Sequence, residues 1–254
     1  MSARRLPGVK AAIMCCVLLT SCSPAQDGGP VVLAAASMQE GLSAAADSWA
    51  TTHGQPPPIL SFASSAAVAR QVDEGAPADL VVIADDRWID WLVSRDVLAG
   101  TPVSLVSNAL VVVAPLGMET PESLVAFADD KGAGRLAIAE PGSVPAGHFA
   151  KAALQTMGLW DALSTRLAPG DNVRASLALV ERGEATMGIV YASDAVASDR
   201  VQVVEQIAPE MHPPIMYYAA RVSGAQHESA QDFLDYLTSP QGRQIIVERG
   251  FTLP

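Results

Sequence analysis

Short apolar runs alternate with segments of helical periodicity along most of this chain. After the first run, VVLAAA at 31–36, apolar residues recur at i, i+4, i+7, i+8 and i+11 from Met38, which predicts an amphipathic helix ending at Gly54. Further strands are predicted at 59–63, 78–84, 135–140 and 187–191, and further helices at about 147–157 and 172–182. Such alternation is typical of βαβ units on a largely parallel sheet.

Two extended apolar runs interrupt this alternation. ALVVVAP at 109–115 has no polar position, so it predicts a strand that is buried on both faces. PIMYYAARV at 214–222 is the second run, and it precedes a last predicted helix at 230–237 with Pro240 beyond it. The pattern therefore predicts two α/β lobes joined by two crossing segments, near 107–117 and 213–224. The predicted boundaries are 30–109 with 219–254 for lobe I, and 110–218 for lobe II.

The N-terminus has the pattern of an export signal. Basic residues within 4–10 precede an apolar run at 11–19, which is too short to span a bilayer but suits the hydrophobic region of a secretory signal. The run ends in LTSC at 19–22, which resembles a bacterial lipobox and implies cleavage before Cys22 and a lipid on that cysteine. An ordinary signal peptide cleaved nearby, with Cys22 incidental, is the alternative.

The composition indicates an exported globular domain with an acidic surface. Hydrophobic residues make up 50% and charged residues 17% of the chain. All three cysteines, Cys15, Cys16 and Cys22, lie at or before the predicted cleavage site, so the mature domain can form no internal disulfide. Removing the signal, 1–21, takes away three positive charges and no negative ones, which changes the net charge from −11 to −14. Residues 22–29 are then expected to form a flexible tether.

An acidic surface excludes some partners and constrains others. It argues against nucleic acid and provides no long-range attraction for an anionic ligand. Any anion site in this chain must therefore depend on local dipoles and neutral donors.

Five separate segments each contain one residue that could hold a small oxyanion without a positive charge. They are VVLAAASMQE with Ser37, SFASSAAVARQ with Ser65, EPGSVPAGHFAKAAL with Ala146, DNVRASLALVERG with Val173, and MGIVYASDAVAS with Tyr191. In four of them the residue lies where a loop or strand gives way to a helical pattern, so its backbone N–H belongs to the unpaired first turn of a helix. At the carboxyl edges of two sheets, these helix ends would point partial positive charges into one cleft. Tyr191 adds a phenolic donor, unless it is an ordinary strand aromatic with its hydroxyl in solvent.

Each of these signals also has a purely structural interpretation. Ser37 and Glu40 form S-x-x-E, the pattern of a capping box, in which Glu40 would turn back toward the first-turn amides. We expect Glu40 to turn outward instead. Ser64 or Ser65 could cap the helix that follows them, and Asp171 could cap the predicted helix that contains Val173.

In the order and spacing of five segments, the chain resembles the molybdate-binding protein of bacterial ABC importers, the ModA family. The segments are AAASM, SFASSAAVARQVDEGAPADL, VPAGHFAKAAL, LAPGDNVRASLALVERGEA and GIVYASDAVAS. The resemblance extends from residue 31 to the closing GFTLP, and it implies an α/β, type II periplasmic-binding-protein fold with the ligand in a cleft between two lobes. The oxyanion is then held by the hydroxyls and amides of Ser37 and Ser65, the amides of Ala146 and Val173, and the hydroxyl of Tyr191. Molybdenum would be bound only as this oxyanion.

The resemblance also implies a function. The chain is expected to be a monomeric solute-binding protein that delivers molybdate or tungstate to a membrane permease and its ATPase. It would catalyse no reaction and need no cofactor. Its expected location is the periplasm or cell envelope, with a membrane anchor on Cys22, although some members of the family lack such an anchor.

Two other functions stay open at this point. A receptor for another tetrahedral oxyanion, such as sulfate, would use the same architecture. Phosphate would require an acceptor for its proton, and none of the five positions supplies one. A serine hydrolase is the enzymatic alternative, but no G-x-S-x-G occurs, and Ser143 and His148 have no identifiable acid beside them.

Overall fold

The structure is a computed structural model that describes residues 28–254. The predicted signal, Cys22 and most of the tether lie outside the described residues. Within the described range, no helix has the length and apolar character needed to cross a membrane.

Residues 28–254 form ten strands and ten α-helices. The strands are β1 (Val31–Ala35), β2 (Ile59–Ala63), β3 (Leu80–Ala84), β4 (Leu98–Asn108), β5 (Leu110–Pro115), β6 (Leu136–Ala139), β7 (Leu167–Gly170), β8 (Met187–Tyr191), β9 (Val201–Gln206) and β10 (Ile215–Val222). The helices are α1 (Gln39–His53), α2 (Ser65–Asp73), α3 (Asp86–Ser94), α4 (Leu124–Asp129), α5 (Pro145–Thr156), α6 (Trp160–Leu163), α7 (Val173–Glu181), α8 (Ala192–Val196), α9 (Ala230–Thr238) and α10 (Pro240–Val247).

The strands build two five-stranded sheets, which confirms the two predicted α/β lobes. The first sheet has the order β2-β1-β3-β10-β4, and the second has the order β7-β6-β8-β5-β9. β1 runs parallel to β2 and β3, and β6 runs parallel to β7 and β8. β10 and β5, in contrast, are antiparallel to both of their neighbours.

Four of the five strands in each sheet therefore run in the same direction, as the prediction of largely parallel sheets requires, and one strand in each sheet is reversed. The chain path explains the reversal. β4 ends at the cleft, and β5 begins there after the single residue Ala109. A strand that enters its sheet from the cleft must run opposite to strands that end at the cleft. β10 enters the first sheet in the same way after the second crossing, which follows β9. The exact lobe boundaries, with lobe I resuming at 219, stay a prediction. Strand pairing joins β10 to the first sheet already from Ile215.

Both faces of the first sheet are covered. In β3, Leu80, Val82 and Ala84 pack into one core cluster, and Val81 and Ile83 pack into another on the opposite face. Successive side chains of a strand point to opposite faces, so a run without polar residues requires two covering layers. The same reasoning holds in the second lobe, where all six residues of β5 are buried as predicted. The helices that directly follow the parallel strands β1, β2, β3, β6, β7 and β8 begin at the carboxyl ends of those strands, and so they begin at the cleft.

Local sequence signals place the end of α1 correctly but miss the start of the last helix. Gly54 ends α1 in a left-handed conformation with φ of 62°, as predicted. Pro240 does not merely follow the last helix, because it is the first residue of α10, and the side chain of Ser239 caps that helix by accepting from the Gly242 amide. Proline suits the first position of a helix, where its missing N–H costs no hydrogen bond.

Candidate functional site

A small pocket lies in the cleft between the lobes, where strands end and helices begin. Its empty volume, which includes space open to solvent, is about 230 Å³. The described residues that line it carry no charge. They are Ala35, Ala36, Ser37, Ser64, Ser65, Ala84, Val144, Pro145, Ala146, Asn172, Val173 and Tyr191. A pocket of this size and lining suits a compact ligand that needs hydrogen bonds.

All five residues predicted from the sequence line this pocket. Lobe I contributes Ser37, from a 3-10 turn after β1, and Ser65, the first residue of α2. Lobe II contributes Ala146 near the start of α5, Val173 at the start of α7, and Tyr191 at the end of β8. The fold therefore brings together donors that are far apart in the sequence.

Ser37 does not belong to a capping box. No side-chain hydrogen bond caps the 3-10 turn or α1. The Ser37 hydroxyl instead lies 2.7 Å from the hydroxyl of Tyr217, and both residues are buried. Glu40 turns away from the first-turn amides, as expected, and its Oε1 accepts from Arg174 Nη1 at 3.1 Å. The capping interpretation of Ser37 is wrong because α1 begins at Gln39, which makes Met38 its cap position, and the Ser37 hydroxyl is bonded to Tyr217 instead.

The two adjacent serines of lobe I have different roles. Ser64 caps α2, since its Oγ accepts from the Ala67 amide at 3.2 Å. The Oγ of Ser65 accepts from the Ala84 amide at 3.0 Å and is buried. A hydroxyl that accepts one bond through oxygen still has its proton to give. Ser65 can therefore donate to a ligand in the pocket.

Ala146 and Val173 can contribute backbone amides. They lie in the first turns of α5 and α7, where N–H groups have no carbonyl partner within the helix. α7 is capped by Asn172, whose Oδ1 accepts from the Ala175 amide at 3.0 Å. The suggestion that Asp171 caps this helix is therefore wrong. Because the Asn172 side chain accepts from the Ala175 amide, the Val173 amide at the start of the helix remains available to donate to another acceptor.

Tyr191 is almost completely enclosed, with 1% of its surface exposed. Its hydroxyl has no hydrogen-bond partner among residues 28–254, and its backbone N–H donates to Asp194 Oδ2 at 3.2 Å. Burial raises the pKa of Tyr191 well above the ordinary value, so the phenol is neutral and keeps its proton. The interpretation of Tyr191 as a strand aromatic with its hydroxyl in solvent is wrong. An unpartnered buried hydroxyl is costly, and a bound acceptor would relieve that cost.

A salt bridge connects the lobes beside the pocket. Arg174 of α7 pairs with Glu40 of α1, and Arg174 Nε also lies 2.7 Å from Asp194 Oδ1, without the alignment of a hydrogen bond. Burial raises the pKa of Asp194 to about 6, and the nearby Arg174 acts in the opposite direction. Trp88 provides a second link across the cleft, because its Nε1 donates to the Ser143 carbonyl at 2.9 Å. These contacts hold the two lobes together around the pocket.

The positive charges at the cleft are thus neutralised. Arg174 is paired with two carboxylates, and Arg87 is paired with Asp85, with Nε to Oδ2 at 2.8 Å. Asp85 and Arg87 act in opposite directions on the pKa of Tyr191. Among the described residues that line the pocket, neutral donors rather than a cation are left to bind an anion.

The residues considered for a serine hydrolase are arranged differently from a catalytic pair. The Ser143 hydroxyl donates to Glu140 Oε2 at 2.6 Å rather than to His148. That hydrogen bond lowers the pKa of Glu140, so the carboxylate is a stable acceptor. In the described part of the chain, no group of three or more histidine, cysteine, aspartate or glutamate residues could hold a metal ion.

Sequence reasoning missed three residues at this site. Asn172 could have been recognised as a helix cap from its position before the helical pattern. Arg174 and Tyr217 carry no local signal, because their partners Glu40 and Ser37 are 134 and 180 positions away.

Comparisons with known proteins agree with this geometry. Residues 30–252 match the family of bacterial extracellular solute-binding proteins. The chain is 42% identical over 234 residues to the molybdate-binding protein ModA of Escherichia coli, covering 90% of this chain and 91% of that protein.

Two solved structures show the same fold. The periplasmic molybdate-binding protein of Azotobacter vinelandii matches with a TM-score of 0.78 at 21% identity, covering 89% of this chain and 99% of that one. The sulfate-binding protein SubI of Mycobacterium tuberculosis matches with a TM-score of 0.74 at 17% identity, covering 88% of this chain and 86% of that one. Together with the two sheets, they confirm the periplasmic-binding-protein fold.

Proposed function

This chain belongs to the bacterial extracellular solute-binding proteins, within the ModA family, and we propose that it captures molybdate or tungstate for an ABC importer. The protein would close its two lobes on the oxyanion and present it to a membrane permease driven by an ATPase. The observation that carries the proposal is the convergence of five neutral donors on a pocket of about 230 Å³ without a charged lining residue.

The donor set suits a fully ionised tetrahedral oxyanion. Ser65 and Tyr191 each have a hydroxyl proton available, and the helix-start amides of Ala146 and Val173 add donors with favourable dipoles. None of the described residues that line the pocket is a carboxylate, so a ligand that carries a proton would find no strong acceptor. Phosphate is therefore disfavoured, and molybdate, tungstate and sulfate remain compatible with the donor chemistry.

We assign no catalytic role to this chain. The Ser143 hydroxyl is held by Glu140, and the pocket contains no base beside a nucleophile. Nothing at the site favours hydrolysis over binding. Molybdate is the ligand to be transported and not a cofactor.

Titration of the mature domain with molybdate tests the proposal. A ligand that binds only the folded state stabilises it by RT ln(1 + [L]/Kd), or about 2.7 kcal/mol at a hundredfold excess over Kd. For a chain of this size, the melting temperature should rise by roughly 5 to 10 °C. Calorimetric titration gives the affinity, and thermal unfolding gives the shift. An unchanged melting temperature in saturating molybdate would contradict the proposal.

Replacing the proposed hydroxyl donors should weaken binding. Ser65→Ala and Tyr191→Phe should each cost about 1.5 to 3 kcal/mol of binding free energy, roughly ten- to hundredfold in affinity, since each removes a donor to a charged ligand. Tyr191→Phe should leave the ligand-free protein as stable as the wild type or more so, because the lost hydroxyl is buried without a partner. Calorimetric titration measures the loss of affinity, and thermal unfolding of the ligand-free variants measures the change in stability.

Ser64→Ala is the matched control for Ser65→Ala. It removes the α2 cap and should lower the free energy of unfolding by about 1 kcal/mol, with affinity changed by less than about threefold. If Ser65→Ala behaved like Ser64→Ala, Ser65 would be structural and its assignment as a ligand residue would fail.

Export follows from membership of an extracellular family, and the mode of attachment is a further proposal. We infer that Cys22 carries a lipid that anchors the mature protein and that residues 22–29 form the tether. The LTSC motif at 19–22 supports this inference. The intact mass of the mature protein decides the point, since an unmodified N-terminus at another residue excludes the anchor.

A further inference from the structure

Tyr217 lies beneath the pocket and contacts residues of both lobes. It belongs to β10, it is fully buried, and it is not part of the pocket lining. Its hydroxyl is 2.7 Å from Ser37 Oγ, and its ring meets the ring of Tyr191 edge to face at 6.1 Å. The ring of Phe251 also packs edge to face against it, with 5.4 Å between the ring centroids. Tyr217 therefore supports two of the five proposed ligand residues and has little freedom to move.

The direction of the Ser37–Tyr217 hydrogen bond decides whether Ser37 can bind an anion. A fully ionised oxyanion offers only acceptors, and a serine hydroxyl has a single proton. If Ser37 donated to Tyr217, it would present only lone pairs to the anion and would repel it. If Tyr217 donates instead, the Ser37 proton remains available for the ligand.

The surroundings favour Tyr217 as the donor. Burial raises the pKa of Tyr217 above its ordinary value, so the phenol keeps its proton. Ser37 Oγ is the one hydrogen-bond partner that residues 28–254 provide for this buried hydroxyl. If the phenol accepted from Ser37, its own buried proton would be left unpaired, whereas a phenol that donates leaves the Ser37 proton free for a ligand in the pocket that Ser37 lines.

We propose that Tyr217 is a positioning residue that donates to Ser37 Oγ and thereby turns the Ser37 hydroxyl proton toward the bound oxyanion. This inference rests on the proposed function. It assigns a role in binding to a residue that touches no ligand. In its absence, the Ser37 hydroxyl would rotate among several orientations, of which only a fraction point at the pocket.

A double-mutant cycle tests this role. Tyr217→Phe should weaken oxyanion binding about three- to tenfold, and Ser37→Ala about ten- to hundredfold. In the Ser37→Ala background, Tyr217→Phe should have no further effect beyond about twofold, because the hydroxyl that it orients is gone. Additive losses in the double variant would overturn the proposal, as would an unchanged affinity for Tyr217→Phe.

Tyr236 provides a matched control, because its hydroxyl donates to Ser48 Oγ at 2.8 Å, away from the pocket. Tyr236→Phe removes the same kind of tyrosine–serine hydrogen bond and should leave oxyanion affinity unchanged. Both phenylalanine variants should lower the melting temperature of the ligand-free protein to a similar extent. A role limited to folding would alter that temperature without the coupling to Ser37.

The cycle is run with whichever of molybdate, tungstate and sulfate the wild type binds most tightly. A wild type that prefers sulfate would contradict the molybdate proposal and still leave the coupling measurable. If Ser37→Ala did not fold, the comparison of Tyr217→Phe with Tyr236→Phe would decide, and equal affinities in those two variants would overturn the role of Tyr217. A wild type that bound none of the three would overturn both proposals.

Discussion

Sulfate should bind this protein at least about a hundredfold more weakly than molybdate. Both are tetrahedral dianions, but sulfate has shorter bonds to oxygen. The proposed donors are carried by the starts of α2, α5 and α7 and by a buried tyrosine, and donors fixed in this way cannot follow a smaller ligand. Several hydrogen bonds would lengthen at once, and together they would lose several kcal/mol of binding free energy.

Competition calorimetry measures this selectivity. Tungstate, which is nearly equal to molybdate in size, should bind within about tenfold of it. Phosphate should bind poorly for a second reason, because its remaining proton would face donors only. Displacement of molybdate by sulfate at comparable concentrations would identify the protein as a sulfate receptor despite its family.

Gly147→Ala should both destabilise the protein and impair binding. A Cβ at this position would overlap the carbonyl oxygen of Ala139 and lie 2.5 Å from that of Glu140. Both obstacles are backbone atoms, so the start of α5 must move away from β6. We expect a loss of about 3 kcal/mol in the free energy of unfolding, and a more than tenfold loss of molybdate affinity as the Ala146 amide is displaced.

Thermal unfolding and calorimetry give the two losses separately. Gly132→Ala in the same lobe is the control, because its nearest obstacle is the flexible Asp130 carboxylate at 3.3 Å, and neither property should change much. A Gly147→Ala protein that melted early but bound molybdate with wild-type affinity would exclude the Ala146 amide from the site. A Gly147→Ala protein as stable as the wild type would contradict the expectation that a Cβ at this position overlaps neighbouring backbone atoms.

The candidate site was largely predictable because its parts are local. Ser65, Ala146 and Val173 each lie where a strand or loop changes to a helix, and that change is encoded in a few consecutive residues. The period of the apolar positions identifies the helices, and uninterrupted β-branched runs identify the buried strands, as β5 shows. The resemblance to the ModA family then predicts that residues from five separate segments bind one oxyanion.

Local patterns alone determined that this chain forms strand–turn–helix units with unpaired donors at the turns and a core without disulfides. The tertiary structure decided where those units meet and in which direction they run. β5 and β10 read as ordinary buried strands, and only the path across the cleft makes them antiparallel. The partners of Ser37 and Glu40 are likewise set by tertiary packing, within lobe I for Tyr217 and between the lobes for Arg174, because neither contact has a counterpart in the periodicity of either segment.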